Sequence, residues 1–375
     1  MHAASETRTG GMRVGDRTIG AGDPVYIIAE LSANHNQDLQ QAIRIIDAAK
    51  EAGADAIKLQ TYTPDTITVR SDREPFQIRG GTLWDGRTLY ELYAEAFTPW
   101  EWHAELQQRA TAAGLDFFSS PFDPTAVDFL EMLNVPAYKI ASPELVDIQL
   151  IEKVARTGKP LIMSTGMATC EEVEEALIAA RCAGAREVAL LKCTSAYPSP
   201  PGEMNLKMIP AMAKKFGVRV GLSDHSMGIA VPVAAAALGA CIIEKHLTFS
   251  RARKGPDSEF SLEPHEFKAM VEAVRTVEQA LGRPEFSIGE KENASRAFRR
   301  SLFVVQDMKA GEVFTEKNVR SIRPADGLHT RHLPKVLGRS STCDISAGTP
   351  LQWGLLSTSD NRLSPPNISA NRKEG

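Results

Sequence analysis

The sequence is thin in the features that mark several large classes of protein. It has five cysteines in 375 residues and no CxxC pair, which argues against a disulfide framework and a soft-metal site. Cys170, Cys182, Cys193, Cys241 and Cys343 fall singly on predicted helices and strands, where buried thiols are the simple expectation. No apolar stretch approaches the roughly 20 residues of a membrane-spanning helix, because the Ala-rich run 234–240 is short and mixed. The opening MHAASETRTGG lacks the apolar segment of a secretory signal, so a cytoplasmic location and no membrane contact are expected. Charge of one sign is not in excess: 43 Lys and Arg stand against 47 Asp and Glu, a formal net charge of -4. Without a basic stripe there is no support for a nucleic-acid surface. A GxGxxG turn after the first predicted strand is also missing, which argues against an open doubly wound sheet.

What is present is one unit, repeated. Hydrophobic residues make up 43% of the chain, enough for a large core. From Val25 onward an apolar run, a polar loop and an amphipathic helical stretch recur. The runs are VYIIAEL (25–31), AIKLQT (56–61), LDFFSS (115–120), AYKIAS (137–142), PLIMST (160–165), VALLKCT (188–194), VRVGLSDH (218–225) and CIIEKHLT (241–248). Stretches such as DLQQAIRIIDAAKEAG and CEEVEEALIAARCAG lie between them and end at a Gly suited to a helix C-terminus. Continuous Val, Ile and Leu strands alternating with helices imply a parallel sheet covered by helices. Eight such units predict an α/β fold of the (β/α)8 TIM-barrel type.

The domain boundaries follow from changes in this pattern. Residues 1–22 are expected to be a flexible leader, 23–284 the barrel, 285–297 a polar linker, 298–356 a β-rich module and 357–375 a disordered tail. One connection, 62–97, far exceeds the roughly 2 to 6 residues usual between strand and helix. Its Trp84, Tyr90 and Tyr93 argue for a folded insert that forms a lid or substrate wall.

Polar residues recur at the strand ends, which face the catalytic mouth of a barrel. They include Glu30, Lys58, Gln60, Ser120, Lys139, Ser142, Ser164, Ser223, His225, Glu244 and His246. Side chains alternate along a strand, so Ser223 and His225 share one face, as do Glu244 and His246. The two histidines then stand on neighbouring strands, as a metal pair or as a catalytic acid and base. Two imidazoles with oxygen donors suit Mn2+, Fe2+ or a similar divalent ion. Lys58, Lys139 and the hydroxyls make a donor-rich cup for phosphate or carboxylate. A Schiff-base lysine is the competing use of the same residues. Lys245, on the opposite face, is expected in a structural ion pair.

IIAELSANHN, ADAIKLQT, FSSPFD, YKIAS, STGMAT, CTSAYPSP, GLSDHS, EKHLT and GPDSEFS resemble, in order, the signature segments of sialic-acid-type (nonulosonic acid) synthases. SLFVVQDMKAGEVFTEKNVRSIRPADGL resembles the antifreeze-like (SAF) domain that ends those enzymes. LWDGRTLYELYAEAFTPWEWH, SANHN and CTSAYP are most similar to the pseudaminic acid synthase branch; N-acetylneuraminate and legionaminic acid synthases are the alternatives. The resemblance implies condensation of phosphoenolpyruvate with an N-acetylated amino sugar, here 2,4-diacetamido-2,4,6-trideoxy-altrose. It also implies that His225 and His246 hold a divalent metal, Mn2+ first, with Mg2+ or Co2+ possible. Lys58, Ser120, Lys139, Ser142, Ser164, Ser195, Tyr197 and Ser223 would hold phosphoenolpyruvate. Gln60 and Asp257 would lie at the sugar, Glu30 at the attacking water, and Glu244 beside the metal or the developing charge. Arg323 would reach the sugar's N-acyl group from a partner chain, which implies a domain-swapped homodimer.

Overall fold

A computed structural model describes residues 11–358 in two units, one ending at Gly282 and the other beginning at Arg283. The first opens with an antiparallel hairpin, β1 (Met12–Val14) and β2 (Arg17–Ile19). Eight parallel strands follow: β3 (Tyr26–Glu30), β4 (Ala56–Thr61), β5 (Asp116–Pro121), β6 (Tyr138–Ile140), β7 (Leu161–Ser164), β8 (Val188–Cys193), β9 (Arg219–Asp224) and β10 (Ile242–His246). They close in chain order, β10 pairing with β3, into the expected barrel.

β3 and β10 are buried along their whole length, which is why each begins as an apolar run without alternation before its charged end. Several barrel helices start where a side chain can satisfy their free N–H groups. Asp38 accepts from the Gln41 amide ahead of Leu39–Glu51, and Thr169 and Glu172 form a capping box ahead of Cys170–Cys182. The strand-end loops are thereby held from their helical side.

The expected flexible leader is corrected over the hairpin. Met12, Val14 and Ile19 are fully buried, because the short alternation puts all three on one face. Arg17 pairs with Asp55 at 2.7 Å, and Tyr26 donates to Asp116 at 2.7 Å. Asp55 precedes β4 and Asp116 begins β5, so the hairpin packs at the end of the barrel opposite the strand C-termini. Residues 1–10 of that leader, and 359–375 of the expected tail, lie outside the described residues.

The 62–97 segment is folded. It carries helices Pro64–Ile67 and Leu89–Ala96, the second opened by a Thr88/Glu91 capping box. The cysteine expectation holds in part: all five are unpaired, with Cys193 and Cys241 buried but Cys170, Cys182 and Cys343 exposed.

In the second unit, the expected linker includes a short helix, Glu290–Ser295. Beyond it, β11 (Ser301–Val304) pairs antiparallel with β12 (Val319–Ile322). Leu302, Val304, Met308, Phe314, Val319, Val336 and Leu351 form a separate small core. Among the described residues no helix is long and apolar enough to cross a membrane.

Candidate active site

Register brings the charged strand ends together. Glu30 is level with Lys58 on one side and His246 on the other, and Glu244 is level with Ser223. Alternation sends Glu244 and His246 one way and Lys245 the other. Lys245 Nζ meets Asp224 Oδ2 at 2.6 Å with neither side chain exposed, the structural pair expected of it.

Lys58 Nζ stands 2.5 Å from Glu30 Oε2, 3.9 Å from Glu244 Oε2 and 3.1 Å from Ser120 Oγ. Lys139 Nζ is 3.5 Å from Glu244 Oε1, which also accepts from Ser223 Oγ at 2.8 Å. None of these four charged side chains is more than 5% exposed. Burial works against charge on Lys58, but Glu244 and Glu30 outweigh it and hold the ammonium charged. Burial lowers Lys139. Burial would raise Glu244, yet Lys139 and Lys58 pull it below the usual carboxylate range. Burial raises Glu30 beyond what Lys58 offsets, which makes it the more basic carboxylate. Two ammonium groups beneath a strand-end mouth, with hydroxyls around them, fit a ligand carrying more than one negative charge.

Those hydroxyls sit mainly on the next strands and loops. Ser164 is buried and its Oγ has no hydrogen-bond partner among the described residues. Ser142 Oγ accepts from the Gly166 amide at 3.1 Å. A Cβ at Gly166 would lie 2.2 Å from Ser195 Oγ and 2.8 Å from Ser142 Oγ. Gly166 is therefore a site residue that sequence reasoning passed over; its signal is the Gly directly after the Ser-Thr end of β7.

His225 follows β9 and His246 ends β10, with ring centroids 5.2 Å apart. His225 Nδ1 is 3.2 Å from the Thr194 carbonyl, the geometry of a donated bond that leaves Nε2 as the ligating nitrogen. His246 Nδ1 is buried without a hydrogen-bond partner, and burial followed by the nearby His225 holds its imidazole neutral. Phe260 packs on both rings at 6.0 and 4.9 Å, and Tyr197 lies 4.4 Å from His225. An orphaned imidazole nitrogen beside a second histidine fits a divalent ion. Among the described residues no group of three or more His, Cys, Asp or Glu is arranged to hold one. The ion would thus complete its shell with ligands from outside the protein.

A second polar group flanks Glu30. Gln60 Nε2 donates to Glu30 Oε1 at 3.2 Å and to Ser32 Oγ at 2.9 Å, and Ser32 donates to Asp257. Ser32 adopts a left-handed φ of 45°, a costly conformation for a serine that its two partners hold in place. Ser32 and Phe260 were not singled out from the sequence, because their roles depend on contacts across the chain. The structure thus gathers Glu30, Lys58, Gln60, Ser120, Lys139, Ser223, Glu244 and Asp257 into connected hydrogen-bond and ion-pair networks, with Ser142 and Ser195 meeting at Gly166. Arg323 belongs to the second unit, where it is exposed.

Comparison with known proteins places the chain in a family. The NeuB family model matches residues 45–286 and the SAF domain model residues 299–357. The pseudaminic acid synthase of Campylobacter jejuni is 49% identical over 88% of this chain and 96% of its own. That of Helicobacter pylori is 48% identical over 88% and 96%. Among solved structures, the N-acetylneuraminic acid synthetase of Leptospira borgpetersenii superimposes with a TM-score of 0.68 at 33% identity, covering 76% of this chain and 94% of that one.

Proposed function

We propose that this chain, which belongs to the NeuB family and ends in an SAF domain, is a pseudaminic acid synthase. It condenses phosphoenolpyruvate with 2,4-diacetamido-2,4,6-trideoxy-altrose and water, releasing phosphate. The observation that carries the chemistry is the buried array of Lys58, Lys139, Glu30 and Glu244 beside the histidine pair. The choice of sugar rests on the 49% identity to the Campylobacter enzyme.

Lys58 and Lys139, with Ser120, Ser142, Ser164, Ser195, Tyr197 and Ser223, bind the phosphate and carboxylate of phosphoenolpyruvate. A divalent ion, Mn2+ first with Mg2+ or Co2+ as alternatives, fits His225 and His246 and when bound supplies Lewis-acid polarisation of the sugar aldehyde. C3 of phosphoenolpyruvate attacks the aldehyde carbon and positive charge develops at C2. Glu244, kept ionised by the two lysines, stabilises that charge. Glu30 orients the water and takes its proton, its basicity raised by burial. Water adds at C2 before the C–O bond to phosphate breaks, so neither lysine needs to form a covalent adduct. Gln60 and Asp257 hydrogen-bond the sugar.

Arg323 completes the sugar site from the SAF domain of a second copy in a domain-swapped homodimer. The five unpaired cysteines support residence in the reducing cytoplasm.

The test is inorganic phosphate release from phosphoenolpyruvate with Mn2+, and again after chelation. Release that requires the trideoxy-altrose sugar is expected. Release only with N-acetylmannosamine or a legionaminic acid precursor would reassign the product, and release with no sugar would overturn the condensation.

A further inference from the structure

Within the 62–97 insert, residues 77–88 form a strap closed by its own hydrogen bonds. Gln77 bridges Thr88, Ile78 N–H donates to the Arg87 carbonyl at 2.8 Å, and Gly86 N–H donates back to the Ile78 carbonyl at 3.1 Å. At its tip the Asp85 carboxylate accepts from the amides of Gly80, Gly81 and Thr82 at 3.2, 2.8 and 2.9 Å, and from the Thr82 hydroxyl at 2.7 Å. Gly81 and Gly86 take φ of 84° and 86°, which a side chain would strain. A tip built this closely presents one large side chain, Trp84, in one place.

Trp84 Nε1 donates to the Pro256 carbonyl at 2.9 Å, next to Asp257, and its ring lies 5.5 Å from Tyr197. Tyr197 in turn lies 4.4 Å from His225. The indole therefore borders the residues assigned to the sugar and the metal. Its N–H is engaged by backbone, and the Tyr197 hydroxyl is engaged by Ser195. What Trp84 offers a ligand is an apolar face, held beside Asp257 by the bond to Pro256.

We propose that Trp84 is a specificity-determining wall of the sugar subsite, its indole face receiving the deoxygenated terminal carbon of an N-acetylated sugar. This rests on the function proposed above. A methyl group gains by covering that face, whereas a hydroxyl would lose water and find no free partner there. An aromatic wall therefore selects against the hydroxylated counterpart.

The experiment compares the parent enzyme with Trp84→Ala and Trp84→Phe. Phosphate release is measured with 2,4-diacetamido-2,4,6-trideoxy-altrose and with its 6-hydroxy counterpart. The parent should favour the deoxy sugar by about 10- to 100-fold in kcat/KM, and Trp84→Ala should lose most of that ratio. The KM for phosphoenolpyruvate should stay unchanged, and Trp84→Phe should keep most of the selectivity. A parent that turns over the deoxy sugar, with an unchanged ratio in Trp84→Ala, overturns the role of Trp84 and leaves the enzyme's assignment standing. Equal loss for both sugars and for phosphoenolpyruvate also overturns it, as a general folding defect. A parent inert toward the deoxy sugar overturns both.

Discussion

Lys139 and Glu244 face each other inside the barrel mouth, Nζ to Oε1 3.5 Å, and Glu244 Oε2 is also within 3.9 Å of Lys58. One carboxylate thus sits between two buried ammonium groups, and its removal leaves Lys139 with no carboxylate within ion-pair distance among the described residues. Glu244→Ala should destabilise the free protein by about 3–5 kcal/mol, the usual cost of breaking a buried pair. Millimolar phosphate should restore more of the unfolding temperature in the variant than in the parent, because an anion then replaces the lost charge. Absence of any phosphate stabilisation in both proteins would show that the two lysines do not form an anion site.

Gly166 makes a separate prediction about the hydroxyls. Because a Cβ there would lie 2.2 Å from Ser195 Oγ and 2.8 Å from Ser142 Oγ, Gly166→Ala must push both side chains away. Losing one hydrogen bond to a charged group corresponds to about 10- to 100-fold in affinity. The KM for phosphoenolpyruvate should rise by that factor while the sugar KM stays constant. Steady-state kinetics in both substrates checks it, and a rise confined to the sugar would place phosphoenolpyruvate elsewhere.

The strand-end residues were legible because the barrel converts a linear pattern directly into position. A polar residue closing an apolar run, as in AIKLQT or CIIEKHLT, has to lie at the mouth, and alternation alone separates Glu244 and His246 from Lys245. The hairpin was missed because Met12, Val14 and Ile19 are too few to rise above a Gly-rich, polar opening. The partners of Ser32 and Trp84 lie far along the chain, at Asp257 and Pro256, where no local period points. Glu144 is another such case, since burial pushes its carboxyl up to about 7.

His35 and His103 predict the response to acid. His35 Nδ1 accepts from the Gln37 amide at 3.0 Å and its Nε2 lies 3.2 Å from Thr98 Oγ1, so a second proton would cost a bond. Burial, and for His35 the neighbouring His103, lowers both to about 4. The unfolded chain, near 6.5, binds the proton first. Their contribution is therefore complete above pH 6.5 and is lost as pH falls toward 4, by about 3 kcal/mol for each histidine. Glu144 acts in the opposite sense: its neutral form contributes fully below about 4.5 and fades as pH rises through 7. In a Glu144→Gln background, urea midpoints should fall between pH 6.5 and 4, and His103→Gln should make that fall shallower. An unchanged slope in His103→Gln would assign the acid sensitivity to other groups.

The placement of Arg323 on a unit separate from the barrel makes the swapped arrangement testable by mixing. Arg323→Ala removes the guanidinium from the SAF domain, and His246→Ala removes an imidazole from the barrel, so each homodimer should be inactive. In a swapped heterodimer, one site combines the intact barrel of the Arg323→Ala chain with the intact SAF domain of the His246→Ala chain. The other site carries both defects. Random exchange makes half of the dimers mixed, each with one working site in two, so activity should return to about a quarter of the parent level. If Arg323 served the barrel of its own chain, every site would keep a defect and mixing would restore nothing. Exchange itself is followed with differently tagged chains, so that failure to mix is not mistaken for failure to complement.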